Sequence, residues 1–131
     1  MPHLTIEYSS NLARASDLSA LCERLRRALL ESGLFELGAV RVRAVSADHY
    51  AIADGLPDNA FADMRLRIGQ GRTEIERKAL GAHLMEVAST HFAEQLAAPH
   101  FALSLEIAEI DCDFSWRVNG FHRRLRRVDK K

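Results

Sequence analysis

Cysteine is scarce in this chain. Only Cys22 and Cys112 occur in 131 residues, far apart and without a CxxC spacing, so a disulfide-stapled scaffold or thiolate metal knuckle has little to stand on. Cys22 falls on the apolar stripe of a predicted helix and reads as a buried thiol in a reducing cytosol. Excess charge of one sign is also missing: 18 Lys and Arg balance 18 Asp and Glu. The chain therefore has no overall basic field to recruit nucleic acid or an anionic membrane surface. No apolar run approaches the ~20 residues of a membrane span, and the start of the chain lacks the basic and apolar regions of a signal peptide. The expectation is a cytoplasmic protein with neither a membrane nor a nucleic-acid partner.

Several chemical signatures are absent as well. The loop GQGRT (69–73) contains neither GxGxxG nor a GKS/GKT phosphate loop, the six histidines show no HxxxH or HExxH spacing, and there is no GxSxG elbow. Nucleotide binding and serine-triad chemistry find no foothold, and no metal site is expected.

What is present is a regular alternation of patterns. With 47% hydrophobic residues, the chain is expected to form one domain over 1–131 with a substantial core. Leu4, Ile6 and Tyr8 alternate with Thr5 and Glu7, predicting a strand; VRVRAV, FADMRLRIG and HFALSLEIAEI predict three more. Between them, Leu18, Leu21, Cys22, Leu25 and Leu29 recur at helical spacing, with Ser16 or Asp17 as N-cap and Gly33 as stop. The stretch TEIERKALGAHLMEVASTHF opens on a Thr73/Glu76 capping box.

The two halves, roughly 1–55 and 60–112, repeat one grammar at an offset of roughly 57 residues, Leu18 matching Ile75. Two β-α-β units give β-α-β-β-α-β, an α+β fold with four strands and both helices on one face. Arg41, Arg43, Arg65 and Arg67 alternate on the strands, leaving the second face mixed; an oligomer would cover it, although one-sided antiparallel sheets can also face water. The basic tail over 119–131, FHRRLRRVDKK at its end, reads as a solvated or partner-paired helical end and is given no part in catalysis.

Two residues stand out chemically. Arg72 lies in a glycine loop at a helix N-terminus, where its guanidinium fork suits a carboxylate, although a loop arginine is also compatible with a purely structural role. Pro2 either opens a strand, where its missing N–H does no harm, or becomes a free secondary amine once Met1 is removed. Burial and nearby arginines would keep such an amine neutral and make it a general base that returns its proton as an acid.

Taken together, MPHLTIEYSSN, VRVR, the ADG turn and IGxGR before the second helix resemble the 5-carboxymethyl-2-hydroxymuconate Δ-isomerase family of the tautomerase superfamily, over nearly the whole chain. The resemblance implies a homotrimeric, cofactor-independent isomerase of homoprotocatechuate catabolism acting on a small polycarboxylate. It implies Pro2 as general base and acid, and Arg41 and Arg72 as the functional arginines that bind substrate and stabilise negative charge. Arg43 is a second-rank contact, for which an interfacial salt bridge is an equal alternative. Enzymes of the superfamily acting on other enol or keto acids, and a non-catalytic trimeric binding protein, are the competing readings.

Overall fold

The computed structural model describes residues 1–129. Its elements follow the alternation closely: β1 (His3–Ser9), α1 (Leu18–Glu31), β2 (Arg41–Ala47), β3 (Ala60–Gly69), α2 (Glu74–His91), a short α3 (Ala93–Leu96), β4 (Phe101–Ile110) and α4 (Gly120–Asp129). The sheet order is β2-β1-β3-β4. Within each unit the strands run parallel, β1 with β2 and β3 with β4, and the units join through the antiparallel β1–β3 pair. This is the duplicated arrangement expected of two crossover units side by side.

Period two decides which residues enter the core. Leu4 and Ile6 of β1 and Ala62, Met64, Leu66 and Ile68 of β3 are buried, and they meet Leu21, Leu25 and Leu29 of α1 and Leu80, Leu84 and Ala88 of α2 in one cluster. Both long helices thus cover the same face. The other face carries cross-strand rows set by register, Arg41–His3–Arg67 and then Arg43–Thr5–Arg65–Glu106. A basic band therefore lies at the end of the sheet where the chain begins.

Local chemistry fixes the helix ends. Asp17 caps α1 by accepting from the Ala20 amide at 3.0 Å, and Gly33 follows the helix at φ 73°, in the left-handed region that glycine adopts without strain. In α2 the Thr73 hydroxyl accepts from the Glu76 amide at 3.1 Å while the Glu76 carboxylate accepts from the Thr73 amide at 2.9 Å. Replacing Thr73 with Ala is expected to cost about 1 kcal/mol. A lower urea midpoint at unchanged m-value would register that loss; an unchanged midpoint would show the box to be dispensable.

Candidate active site

The antiparallel β1–β3 pair between two parallel units brings the starts of β1 and β2 and the ends of β3 and β4 to one end of the sheet. Pro2 sits there, immediately before β1, with its side chain fully buried. Its carbonyl accepts from the Arg41 amide at 3.1 Å, so the first β1–β2 hydrogen bond ties the amino-terminal segment to the arginine strand. Met1 and Pro2 line a cavity of about 530 Å³, a volume suited to a small molecule. Leu34, Phe35, Ala39 and Ile110 form its apolar wall, and Arg72, Arg117, His122 and Arg126 converge on it from three segments.

Arg72 is held in place from both sides. Its Nη1 donates to the Gly69 carbonyl at 3.2 Å and its Nη2 to the Leu34 carbonyl at 2.9 Å, while the guanidinium lies 4.8 Å from the centre of the Phe35 ring. Gly71, at φ 116°, adopts a backbone shape that a side chain would strain, and this turn delivers Arg72 to the cavity. The fork is fixed before any ligand arrives, which cuts the ordering cost of binding an anion.

Arg41 is fixed too, but set further back. Its Nη1 donates to the Ala39 carbonyl at 2.9 Å and the Gly38 carbonyl at 3.5 Å, and its guanidinium lies 5.3 Å from the centre of the Phe121 ring. It stands beside the amino terminus without lining the cavity wall. Arg43, two residues further along β2, faces Thr5 in the register and approaches His3 Nδ1 at 3.4 Å on the open sheet face. The structure keeps it outside the cavity.

The electrostatics at this edge favour neutral bases. The Met1 ammonium is held below its ordinary range first by burial and then by the charges of Arg117, Arg72 and Arg41. His3 is likewise lowered by burial and by Arg43, Arg67 and Arg41. A positive field next to a half-buried amine destabilises its protonated form.

The C-terminal segment is helical and largely exposed, as its sequence reading has it, but α4 also closes one side of the cavity. Both Glu36 oxygens accept from Arg126, each at 2.6 Å, and His122 Nδ1 lies 3.6 Å from the same carboxylate. Arg126 holds the Glu36 carboxyl below its usual range. Asn119 Nδ2 donates to the Gly38 carbonyl at 2.9 Å, and a Cβ at Gly38 would meet the His122 backbone nitrogen at 3.3 Å, so glycine lets the helix approach. Lys130 and Lys131 of the basic tail lie outside the described residues. Sequence reasoning missed Glu36, Arg117, His122 and Arg126. The helical spacing of Phe121 and Leu125 is the one trace of α4's packing, and nothing marks Arg117.

A second concavity of about 570 Å³ lies along α2 and β4. Its charges pair with local partners, Lys78 with Glu74 at 2.8 Å and Arg77 with Glu109 at 3.5 Å. Among the described residues no set of unpaired groups converges there, so the amino-terminal cavity is the candidate site.

The chain is similar to known proteins over nearly its whole length. Residues 2–125 match the family model described as 5-carboxymethyl-2-hydroxymuconate isomerase. A 5-carboxymethyl-2-hydroxymuconate Delta-isomerase of Escherichia coli is 35% identical over 122 residues, covering 93% of this chain and 97% of the relative. The crystal structure of a 5-carboxymethyl-2-hydroxymuconate isomerase from Deinococcus radiodurans R1 superposes with a TM-score of 0.88 at 38% identity, over 95% of this chain and 93% of that one. The fold extends to a fused 4-OT protein described as a symmetric trimer, with a TM-score of 0.66 at 12% identity over 88% of this chain and 93% of that one. With its duplicated sheet, its arginine-walled cavity at the first residues and a family match over nearly its full length, this chain belongs to the 5-carboxymethyl-2-hydroxymuconate isomerase family.

Proposed function

We propose that the chain is a 5-carboxymethyl-2-hydroxymuconate Δ-isomerase of homoprotocatechuate catabolism that works through Pro2 as its amino-terminal residue. The observation that carries this reading is the position of Pro2, on the wall of a cavity shared with Arg72 and Arg117. The family match also begins at Pro2. Removal of Met1 exposes the secondary amine to the cavity and places it in the field that lowers the Met1 ammonium.

In this scheme the neutral amine accepts the proton of the substrate's 2-hydroxyl, leaving a dienolate. The electron pair moves through the diene, and the ammonium returns the proton to C5, giving the 2-oxo isomer. One nitrogen serves both ends. Arg41 and Arg72 bind carboxylate and stabilise the negative charge that develops on the 2-oxygen. No cofactor is needed, because the conjugated enol itself relays the electrons. Arg43 is left to the open face and to contacts between subunits.

The working assembly in this proposal is a homotrimer in the cytoplasm. The open sheet face and the exposed Phe114, Trp116 and Val118 supply surface for it, and a fold relative is described as a symmetric trimer. Light scattering should give a mass three times that of the 14.7 kDa chain. A monomeric mass would oppose the assembly.

The test of function is loss of the enol absorbance of 5-carboxymethyl-2-hydroxymuconate, run on protein whose intact mass shows Met1 removed. Conversion well above the spontaneous rate is expected. Absence of acceleration in a processed, trimeric sample would reassign the cavity to another enol acid or to binding without chemistry.

A further inference from the structure

Beside Arg72, the cavity wall holds two arginines that the proton transfer does not use, Arg117 and Arg126. Arg117 lies between β4 and α4, in the irregular stretch 115–119, and it lines the cavity together with Met1, Pro2 and Arg72. Its neighbours are already engaged. Arg72 is tied to two backbone carbonyls, and Arg126 is neutralised by both oxygens of Glu36. Arg117, by contrast, is exposed and, among the described residues, has no hydrogen bond or salt bridge within the chain. The stretch that carries it is nonetheless anchored, because Asn119 bonds to the Gly38 carbonyl at 2.9 Å. An anchored backbone presenting an uncommitted guanidinium to a cavity is suited to receive an anion.

The substrate class supplies that anion. Accepting the proposed function, a carboxymethyl-substituted muconate carries three carboxylates, two at the ends of the diene and one on the side arm. Arg41 and Arg72, which also stabilise charge on the 2-oxygen in the proposed scheme, leave at least one carboxylate without a partner. The side arm is attached to C5, the carbon that receives the proton and that also bears one terminal carboxylate, so both of these carboxylates lie toward the amino-terminal end of the bound substrate. We propose that Arg117 is a specificity-determining residue that binds the carboxymethyl carboxylate of the substrate. The order of influences on the terminal ammonium agrees, with Arg117 acting more strongly than Arg72 or Arg41. The side-arm carboxylate then screens Arg117 when substrate is bound, so the same contact both selects the substrate and moderates the field on the base.

The test compares two substrates and two variants. Kinetic constants are measured for wild type, Arg117→Ala and Arg117→Lys on 5-carboxymethyl-2-hydroxymuconate and on 2-hydroxymuconate, which lacks the side arm. For Arg117→Ala, the ratio of kcat/KM on the tricarboxylate to kcat/KM on the dicarboxylate is expected to fall about 10- to 100-fold, the scale of a lost charge-assisted hydrogen bond. The loss should appear mainly in KM, and Arg117→Lys should restore part of it. An unchanged ratio, whether both substrates suffer equally or neither does, overturns the proposal.

Calorimetric binding of the unreactive propane-1,2,3-tricarboxylate and of glutarate is measured in parallel. Selective loss of tricarboxylate affinity in Arg117→Ala supports the assignment, and equal loss or none contradicts it. If wild type turns over neither substrate, the isomerase reading fails while the binding comparison still decides the role of Arg117.

Discussion

Replacing Pro2 with Ala is expected to lower kcat by about 10²- to 10⁴-fold, the usual contribution of a positioned acid–base group, while leaving the fold intact. Pro2 contributes no amide to the sheet; its part in the β1–β2 ladder is a carbonyl that accepts from Arg41, and alanine keeps that carbonyl. The substituted terminus still carries a primary amine, so its loss should fall toward the lower end of the range. Acetylating the terminus, or retaining Met1, removes the base from position 2 and should reach the upper end. Steady-state kinetics on each form, with circular dichroism as the control for folding, separates these cases. Equal activity in the acetylated and free forms would remove the proline from the mechanism.

The second large effect is expected at Arg72. Arg72→Ala removes a preorganised guanidinium from the cavity wall, and loss of one such donor to a developing oxyanion costs about 10²- to 10³-fold in kcat. Structure adds a further loss. The side chain bridges the β3–α2 loop to the segment after α1 through the Gly69 and Leu34 carbonyls and covers the Phe35 ring, so stability should fall by about 1–3 kcal/mol. Arg72→Lys keeps the charge but not the fork, and cannot span both carbonyls while presenting two parallel donors to a carboxylate. It should recover substrate affinity more fully than kcat. Full activity in Arg72→Ala would confine the residue to holding the loop.

Five of the six main elements of the fold were legible from one clean periodicity each, and α2 from its Thr73/Glu76 capping box. Leu4 and Ile6 alternate, Leu21, Leu25 and Leu29 recur every turn, and the capping residues sit at their boundaries. The cavity was legible only in part. Arg72 stands in a glycine loop before a helix, a local context that singles it out, and Arg41 begins a strand whose partner begins just after Pro2. Arg43 shares that pattern and that face of the sheet but lies about 7 Å further along the strand, opposite Thr5 and away from the end that carries Pro2. Alternation alone does not distinguish the two; the pairing of His3 with Arg41 does.

The C-terminal wall was hidden for a different reason. The partner of Arg126 is Glu36, 90 residues earlier in the chain, and a helix docked by an ion pair looks like a solvated charge run when read locally. Gly38 gave no warning either, since its role depends on the close approach of His122. Arg117 lies in an irregular stretch with no periodicity to read. Long-range polar packing leaves no local signature, whereas apolar burial does.

The central claim is that an unusually acidic amine at Pro2 does the chemistry, and the most direct measurement is a nitrogen-15 NMR titration of processed protein labelled at proline. Only Pro2, Pro57 and Pro99 would carry label, and the last two are amide nitrogens that do not titrate, so one resonance reports the base. Burial and the charges of Arg117, Arg72 and Arg41 lower the Met1 ammonium, and the same surroundings are expected to act on the Pro2 amine once Met1 is removed. Because the group is a cation when protonated, the shift places the neutral, reactive form at lower pH, and the acid limb of kcat/KM should move down with it. The expected result is a midpoint below the ~8 of an ordinary terminal amine that coincides with this acid limb. A midpoint at or above that value, or one unrelated to the rate profile, would contradict the account.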